Sequence, residues 1–276
     1  MPFDNHLHLG RLPHPNRLAQ ALAQADYAYN AVACEPEEWE PLWELWQSES
    51  LKSKGCNLVL GIHPMAVAQA TAQHQPELRQ ILERDSSFQV GETGLDRRFP
   101  EYGPGELQEQ WFVFQATLAL ELQRDLQIHC VGDYGRAVKL LRQVGFGKGS
   151  AASRPIFHRF GGDLNVAKQI LDMGGLISVH QSSLEKKSSR AAIASIPAEG
   201  LLFETDADES FCEGSQIDYG TALQVEDCAA DAGLQVEDCG DVETDAGLRV
   251  EDTVRRLLQC LGDVREATEN LQNLPR

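Results

Sequence analysis

A chain of 276 residues, 42% hydrophobic with 4 Trp and 10 Phe, can bury a full core, which excludes a disordered chain and suits one α/β barrel of about 250 residues. The net charge of −18 is mostly local: residues 204–252 hold 16 acidic residues against one basic residue, Arg249, so the body is near neutral and only mildly unsuited to a polyanion. No apolar run reaches the roughly 18 residues of a membrane span, and no stripe of Lys/Arg with interleaved aromatics marks a nucleic-acid-binding module. The chain opens without a basic-then-apolar leader, and its seven cysteines are scattered with no CxxC pair. Reduced thiols in the cytoplasm are therefore expected.

Eight short stretches rich in β-branched, Leu or aromatic residues read as strands buried on both faces: 3–8, 27–34, 58–62, 88–91, 126–129, 156–158, 176–179 and 201–205. Amphipathic runs between them, among them 76–84, 106–123, 135–144 and 164–173, read as helices, with a last one at 250–261. In 106–123, Leu107, Trp111, Phe114, Leu118 and Leu122 fall three or four apart and predict the buried stripe. Eight strands alternating with helices predict a single-domain TIM (β/α)8 barrel over 1–276, in preference to an open doubly wound sheet. One stretch breaks the rhythm: LQVEDCAADAG at 223–233 is followed by LQVEDCGDVETDAG at 234–247 and then LRVEDT. This acidic tandem repeat, 223–247, reads as a tolerated surface insertion near the C-terminus rather than a cation- or partner-binding surface. No obligate protein partner is expected.

Six residues that could ligate metal lie at or just beyond the C-terminal ends of these strands: His6, His8, Glu92, His129, His158 and Asp206. In a barrel those ends open onto one face, where active sites are built. His-x-His on an extended strand places both imidazoles on one side, giving two nitrogen ligands suited to zinc or a similar first-row ion. Four His and two carboxylates exceed what one tetrahedral ion needs, and a carboxylate such as Glu92 can bridge two ions about 3.5–4 Å apart. Water shared by two such ions ionises near neutral pH and becomes a nucleophile. Asp206 could ligate, orient that water or act as general base, and the sequence does not separate these roles. His14 and His74 read as surface residues, whereas His63 and His180 stay unassigned at this level.

With these residues in place, the chain resembles the TatD family of metal-dependent deoxyribonucleases within the amidohydrolase barrel group. Asp4-Asn5-His6-Leu7-His8-Leu9 is similar to the family's DxHxHL, Gly61-Ile62-His63-Pro64 to GIHP, and Gly91-Glu92-Thr93-Gly94-Leu95-Asp96 to GE-x-GLD. Gln108, Phe112 and Gln115 have the QxxxFxxQ spacing and lead into Ile128-His129. His158-Arg159-Phe160-Gly161-Gly162 resembles HxFxG, the segment 202–207 resembles LLETDA, and Thr268-Glu269-Asn270 a terminal T-x-N. The resemblance implies two divalent ions (magnesium, manganese or zinc) and hydrolysis of DNA or a smaller phosphodiester. It implies one ion on His6, His8, Glu92 and Asp206, and a second on Glu92, His129 and His158. Glu92 and Asp206 are then the catalytic candidates, and Asp4, Asp96, His63 and Glu204 would orient ligands.

The departures are specific. The family's x-R-D-A after IH is Cys130-Val131-Gly132-Asp133 here, so a cation expected near the substrate phosphate is replaced by Val131. Arg159 is the leading substitute, ahead of Arg97 or Arg98, and together with His63 it is a candidate substrate-binding residue. Met65 and Asp208 also depart from the pattern, standing where the family has a second His and a Pro. The loss of the arginine strengthens an alternative, an amidohydrolase-type enzyme of small amides or lactones on the same metal site.

Overall fold

The computed structural model describes residues 2–47, 52, 54–147, 152–213 and 250–273. The acidic repeat at 223–247 lies outside the described residues. Eight strands and their helices follow in strict alternation: β1 Phe3–Leu7, α1 Pro15–Gln24, β2 Ala28–Val32, α2 Trp39–Trp46, β3 Asn57–Leu60 and α3 His74–Leu82. Then come β4 Gln89–Asp96, α4 Leu107–Leu122, β5 Leu126–Val131, α5 Tyr134–Val144, β6 Pro155–Phe157 and α6 Leu164–Asp172. The chain ends on β7 Leu176–Val179, α7 Lys187–Ile193, β8 Leu201–Phe203, α8 Glu209–Glu213 and α9 Val250–Gln272.

Each strand pairs in parallel with the next, in the order β1 to β8. The last seam is closed by the segment after β8: Asp206 N donates to His6 O at 2.9 Å, and His8 N donates to Ala207 O at 3.0 Å. The barrel thus closes at its C-terminal mouth through two of the expected ligand segments. Asp4 clamps the same seam, its carboxyl accepting from Thr205 N (2.9 Å), Thr205 Oγ1 (2.6 Å), Tyr27 OH (2.9 Å) and His6 N (3.2 Å). Apolar side chains such as Leu18, Leu22, Leu78, Leu141, Ile170, Ile193 and Leu257 are buried between strands and helices. Local signals set the helix ends: Asp133 and Asp163 accept from the N–H groups of Arg136 and Val166, each at 3.0 Å, as N-caps.

Three expectations are corrected. β4 runs to Asp96 instead of stopping at residue 91, so Glu92 lies inside the strand and not after it. The glycines that read as a strand end are what let the strand continue. A side chain at Gly94 (φ +146°) would meet His129 O at 1.9 Å, and one at Gly91 (φ +133°) would meet Gln127 O at 2.6 Å. The extra residue this admits is a bulge: Val90 faces Leu126 and Thr93 faces Ile128, three steps on β4 against two on β5. β1 has the same irregularity between Asp4 and Leu7 against β2, and bulges of this kind re-aim side chains beside active sites.

The second correction concerns α4. Trp111 and Leu118 of the expected stripe are buried and only Leu107 is exposed, at 38%, but the buried face also takes in Gln108, Phe112, Gln115 and Ala119. The glutamines are buried because their amides serve strand backbone. Gln108 accepts from Asp96 N (2.8 Å) and donates to Asp96 O (3.0 Å). Gln115 does the same for Ile62 N (2.8 Å) and O (3.0 Å), and also donates to Thr93 Oγ1 (2.6 Å). Apolar periodicity cannot register a face built on such pairs. Third, α9 continues past residue 261 to Gln272. Val264 and Thr268 extend its buried face, and Gln272 Nε2 ties the end to Ile196 O at 2.8 Å.

Candidate metal centre

All six expected ligands converge at the barrel mouth around Glu92, which is 2% exposed. The β4 bulge turns its carboxylate inward so that the two oxygens face different partners. Oε2 lies 3.3 Å from His6 Nε2 and 3.8 Å from His8 Nε2. Asp206 Oδ1 closes that side, at 3.7 Å from His6 Nε2 and 3.3 Å from His8 Nε2. Oε1 lies 2.9 Å from His129 Nδ1 and 2.7 Å from His158 Nε2. His63 Nε2 is also near Oε1, at 3.5 Å.

The far nitrogen of each ring fixes which nitrogen is free. His6 Nδ1 donates to Gln127 Oε1 at 2.7 Å, an oxygen that can only accept, so Nε2 keeps its lone pair. His129 Nε2 donates to Asp96 Oδ2 at 2.9 Å, leaving Nδ1 for Glu92's side. His158 Nδ1 faces Glu204 Oε1 at 3.6 Å, and His8 Nδ1 faces Cys34 Sγ at 3.8 Å. His63 is the reverse case: its Nδ1 accepts from Met65 N at 3.0 Å. When neutral it therefore carries its proton on Nε2, as a donor toward Glu92 rather than a lone pair for a metal. Asp4, Asp96 and Glu204 stand where ligand-orienting residues were expected.

The residues fit divalent ions. His6 Nε2 is fully buried with no hydrogen-bond partner, although it points between two carboxylate oxygens. Buried polar atoms are seldom left so. A mixed imidazole and carboxylate set is that of zinc and related first-row ions.

The electrostatics are those of a site that expects cations. Burial alone would raise Glu92, yet the imidazoles of His158, His63 and His6 hold it well below the ordinary carboxylate range. Asp206 is likewise held low against burial by His8, His158 and His6. Burial alone would lower His158, but Glu92 and Glu204 outweigh it and push the ring up to about 10. His129 is raised against burial by Asp96 and Glu92. Burial pushes His63 down to about 3, Glu92 working against it.

Arg159 sits at the rim with φ +46°, beside Asp206 with φ +50°, both in the left-handed region that residues other than glycine adopt uncommonly. Its backbone N–H donates to Glu204 Oε1. Its Nη1 donates to Asp206 Oδ2 at 2.7 Å and its Nε to Ser182 Oγ at 3.2 Å. Arg98 is instead committed to Asp96 through Nε at 3.0 Å to each oxygen, behind His129. His14 is exposed and His74 half-buried. His180 caps the turn that carries Ser182, its Nδ1 accepting from Ser182 N at 3.1 Å.

Three participants escaped the sequence reading. Gln127 lies two residues before His129 on the same face of β5, so period two could have found it. Cys34 ends an expected strand at the ligand-bearing face, the same signal that marked the histidines. Ser182 had none.

A parallel barrel whose mouth gathers His and carboxylate side chains that could hold metal ions is the architecture of a metal-dependent hydrolase. The family model described as TatD related DNase matches residues 3–232, and the chain belongs to that family. Human "Deoxyribonuclease TATDN3" is 25% identical over 93% of this chain and 96% of its own length. The "3'-5' ssDNA/RNA exonuclease TatD" of Pectobacterium atrosepticum is 28% identical over 55% of this chain and 58% of its own, so the match spans little more than half of that relative. Among solved structures, YJJV, a TatD homolog from Escherichia coli, superposes with a TM-score of 0.64 at 20% identity, over 99% of this chain and 98% of that one. That likeness bears on the fold.

Proposed function

We propose that the protein is a hydrolase of phosphodiester bonds in DNA or a smaller nucleotide ester, working with two divalent ions of the magnesium, manganese or zinc class. The observation that carries this reading is Glu92: one oxygen serves the His6/His8/Asp206 side and the other the His129/His158 side. The named activities of the relatives point to the same chemistry. When bound, the ions supply the positive charge that makes water nucleophilic near neutral pH and offsets charge on the phosphate.

The chain's own groups do the rest. Gln127 and Asp96 hold the ring protons of His6 and His129 on the far side, so their lone pairs face inward, and Glu204 faces His158 Nδ1 at ion-pair distance. Asp206 faces the His6/His8 side with Oδ1 and Arg159 with Oδ2, and Oδ2 becomes the acceptor for the proton of the attacking water once the guanidinium turns to the substrate. The Arg159 guanidinium, half exposed and bonded to that Oδ2, supplies the cation that Val131 does not and meets the substrate phosphate. His63 keeps a proton on Nε2 for the Glu92 carboxylate and the substrate beyond it. A reducing compartment such as the cytoplasm suits the buried free thiols of Cys34, Cys56, Cys130 and Cys260. Among the described residues no helix is long and apolar enough to cross a membrane.

The test is turnover by metal-stripped protein reloaded with magnesium, manganese or zinc. Substrates are fluorescent single-stranded DNA, bis-p-nitrophenyl phosphate and a panel of small amides and lactones. Metal-dependent shortening of DNA is expected, with KM raised in Arg159→Ala. Activity on carbonyl substrates alone overturns the reading in favour of an amidohydrolase.

A further inference from the structure

One donor at this centre belongs to neither expected ligand set. Cys34 follows β2, and its backbone is fixed at both ends: N donates to Glu38 Oε2 at 2.5 Å, and O accepts from His63 N at 2.8 Å. The side chain is thereby aimed at the mouth, where Sγ lies 3.5 Å from Glu92 Oε2 and 3.8 Å from His8 Nδ1. The residue is 3% exposed. The same Glu92 oxygen is 3.3 Å from His6 Nε2, the buried nitrogen that has no hydrogen-bond partner. Sulfur and nitrogen therefore approach one carboxylate oxygen from two directions.

The spacings are those of ligands around one small ion. Zinc binds sulfur at about 2.3 Å and nitrogen or oxygen at about 2.0–2.1 Å. At the roughly 90–120° angles of a five-donor set that puts sulfur about 3.1–3.8 Å from oxygen and nitrogen about 2.9–3.6 Å from oxygen. The Cys34–Glu92, His6–Glu92 and His8–Asp206 separations are 3.5, 3.3 and 3.3 Å, and the His6–Asp206 and His8–Glu92 pairs, at 3.7 and 3.8 Å, are those that stand more nearly across the ion from each other. Donor atoms of His8, Cys34 and Glu92 lie within 4.8 Å of one another.

We infer that Cys34 is a ligand of the ion held by His6, His8, Glu92 and Asp206, making that position a sulfur-containing site selective for zinc-class ions over magnesium. The inference rests on the reading that the centre holds divalent ions. Binding forms the metal–sulfur bond and releases the thiol proton to solvent. Thiolate favours zinc and its softer relatives, whereas magnesium demands near-octahedral oxygen and keeps its waters. The competing role is a thiol that donates to Glu92 Oε2 and never touches the ion, which a serine would fill equally well.

The experiment loads the metal-stripped full-length protein with cobalt(II) and records its absorption, then repeats this for Cys34→Ser and Cys34→Ala. A thiolate-to-cobalt charge-transfer band is expected in the wild type and absent from both variants, with the d–d bands retained. Zinc affinity should fall by about tenfold or more in the variants, with magnesium affinity unchanged. Bound cobalt without the charge-transfer band in the wild type overturns the inference while leaving the metal centre standing. A band that survives both substitutions assigns the sulfur to another cysteine and overturns it as well. No cobalt binding at all overturns both the inference and the reading beneath it.

Discussion

Replacing Asp4 with alanine removes the acceptor of four hydrogen bonds at the seam where β1 meets the segment after β8. Two of the donors are the hydroxyls of Tyr27 and Thr205, which can rotate. The other two are the backbone N–H groups of Thr205 and His6, which cannot, and residues 4, 6 and 205 are all at most 2% exposed. Stranding a buried donor costs roughly 1–3 kcal/mol, so the pair predicts a loss of about 2–6 kcal/mol. That is a large part of the 5–15 kcal/mol total that is typical of folded domains. The loss should also reach the centre, because the two stranded groups belong to one proposed ligand, His6, and to the neighbour of another, Asp206. Metal affinity should fall about 10–100-fold, as when groups that orient ligands are removed. Urea unfolding of the metal-free protein reads the first effect, and competition with a chromophoric chelator reads the second. A stability change below about 1 kcal/mol, or a destabilised protein with unchanged metal affinity, would refute the idea that this seam positions the ligands.

Gln115→Leu strands the fixed groups Ile62 N and O and removes a donor to the rotatable Thr93 Oγ1, for a loss of about 2–6 kcal/mol. In a chain of this size that lowers Tm by about 4–24 °C in a thermal melt, and an unchanged Tm would contradict the role given to the amide. Glu92→Gln leaves one oxygen where two are used, so metal content should drop from two ions per chain and turnover should vanish. Elemental analysis that still finds two ions would sink the bridging assignment. Metal uptake should release protons. His158 is held near 10 in the metal-free protein, above its ordinary 6.5, so its charged form adds stability that is complete below about 6.5 and is lost as pH rises through about 10. A metal needs the neutral ring, so apparent affinity rises with pH across that window. Calorimetry in buffers of different ionisation heat should give buffer-dependent heats, and identical heats would contradict the shift.

The alternation of short apolar stretches with amphipathic runs made the eight strands and the barrel legible, because strands buried on both faces and helices buried on one differ in period. The candidate ligands could be grouped for a topological reason: in a parallel barrel every strand ends at the same mouth, so His6, His8, Glu92, His129, His158 and Asp206 needed no knowledge of contacts to be brought together, even though Glu92 lies inside β4. What stayed hidden is what breaks regular geometry. The bulges at Asn5-His6 and Gly91-Glu92 depend on cross-strand register, which no local pattern encodes. The buried glutamines of α4 invert the rule that polar residues face water, since their partners are backbone atoms distant in sequence. Arg159 was legible as a rim cation, but its bond to Asp206 Oδ2 depends on a left-handed backbone that is set by Glu204.

Glu92 joining two ions is the central feature of the proposed centre. Electron paramagnetic resonance of the manganese-loaded protein tests this directly, because ions bridged by one carboxylate at about 3.5–4 Å are exchange-coupled. The account predicts a coupled two-manganese signal in the wild type that gives way to the spectrum of an isolated ion in Glu92→Gln. An isolated-ion spectrum in the fully loaded wild type would contradict it.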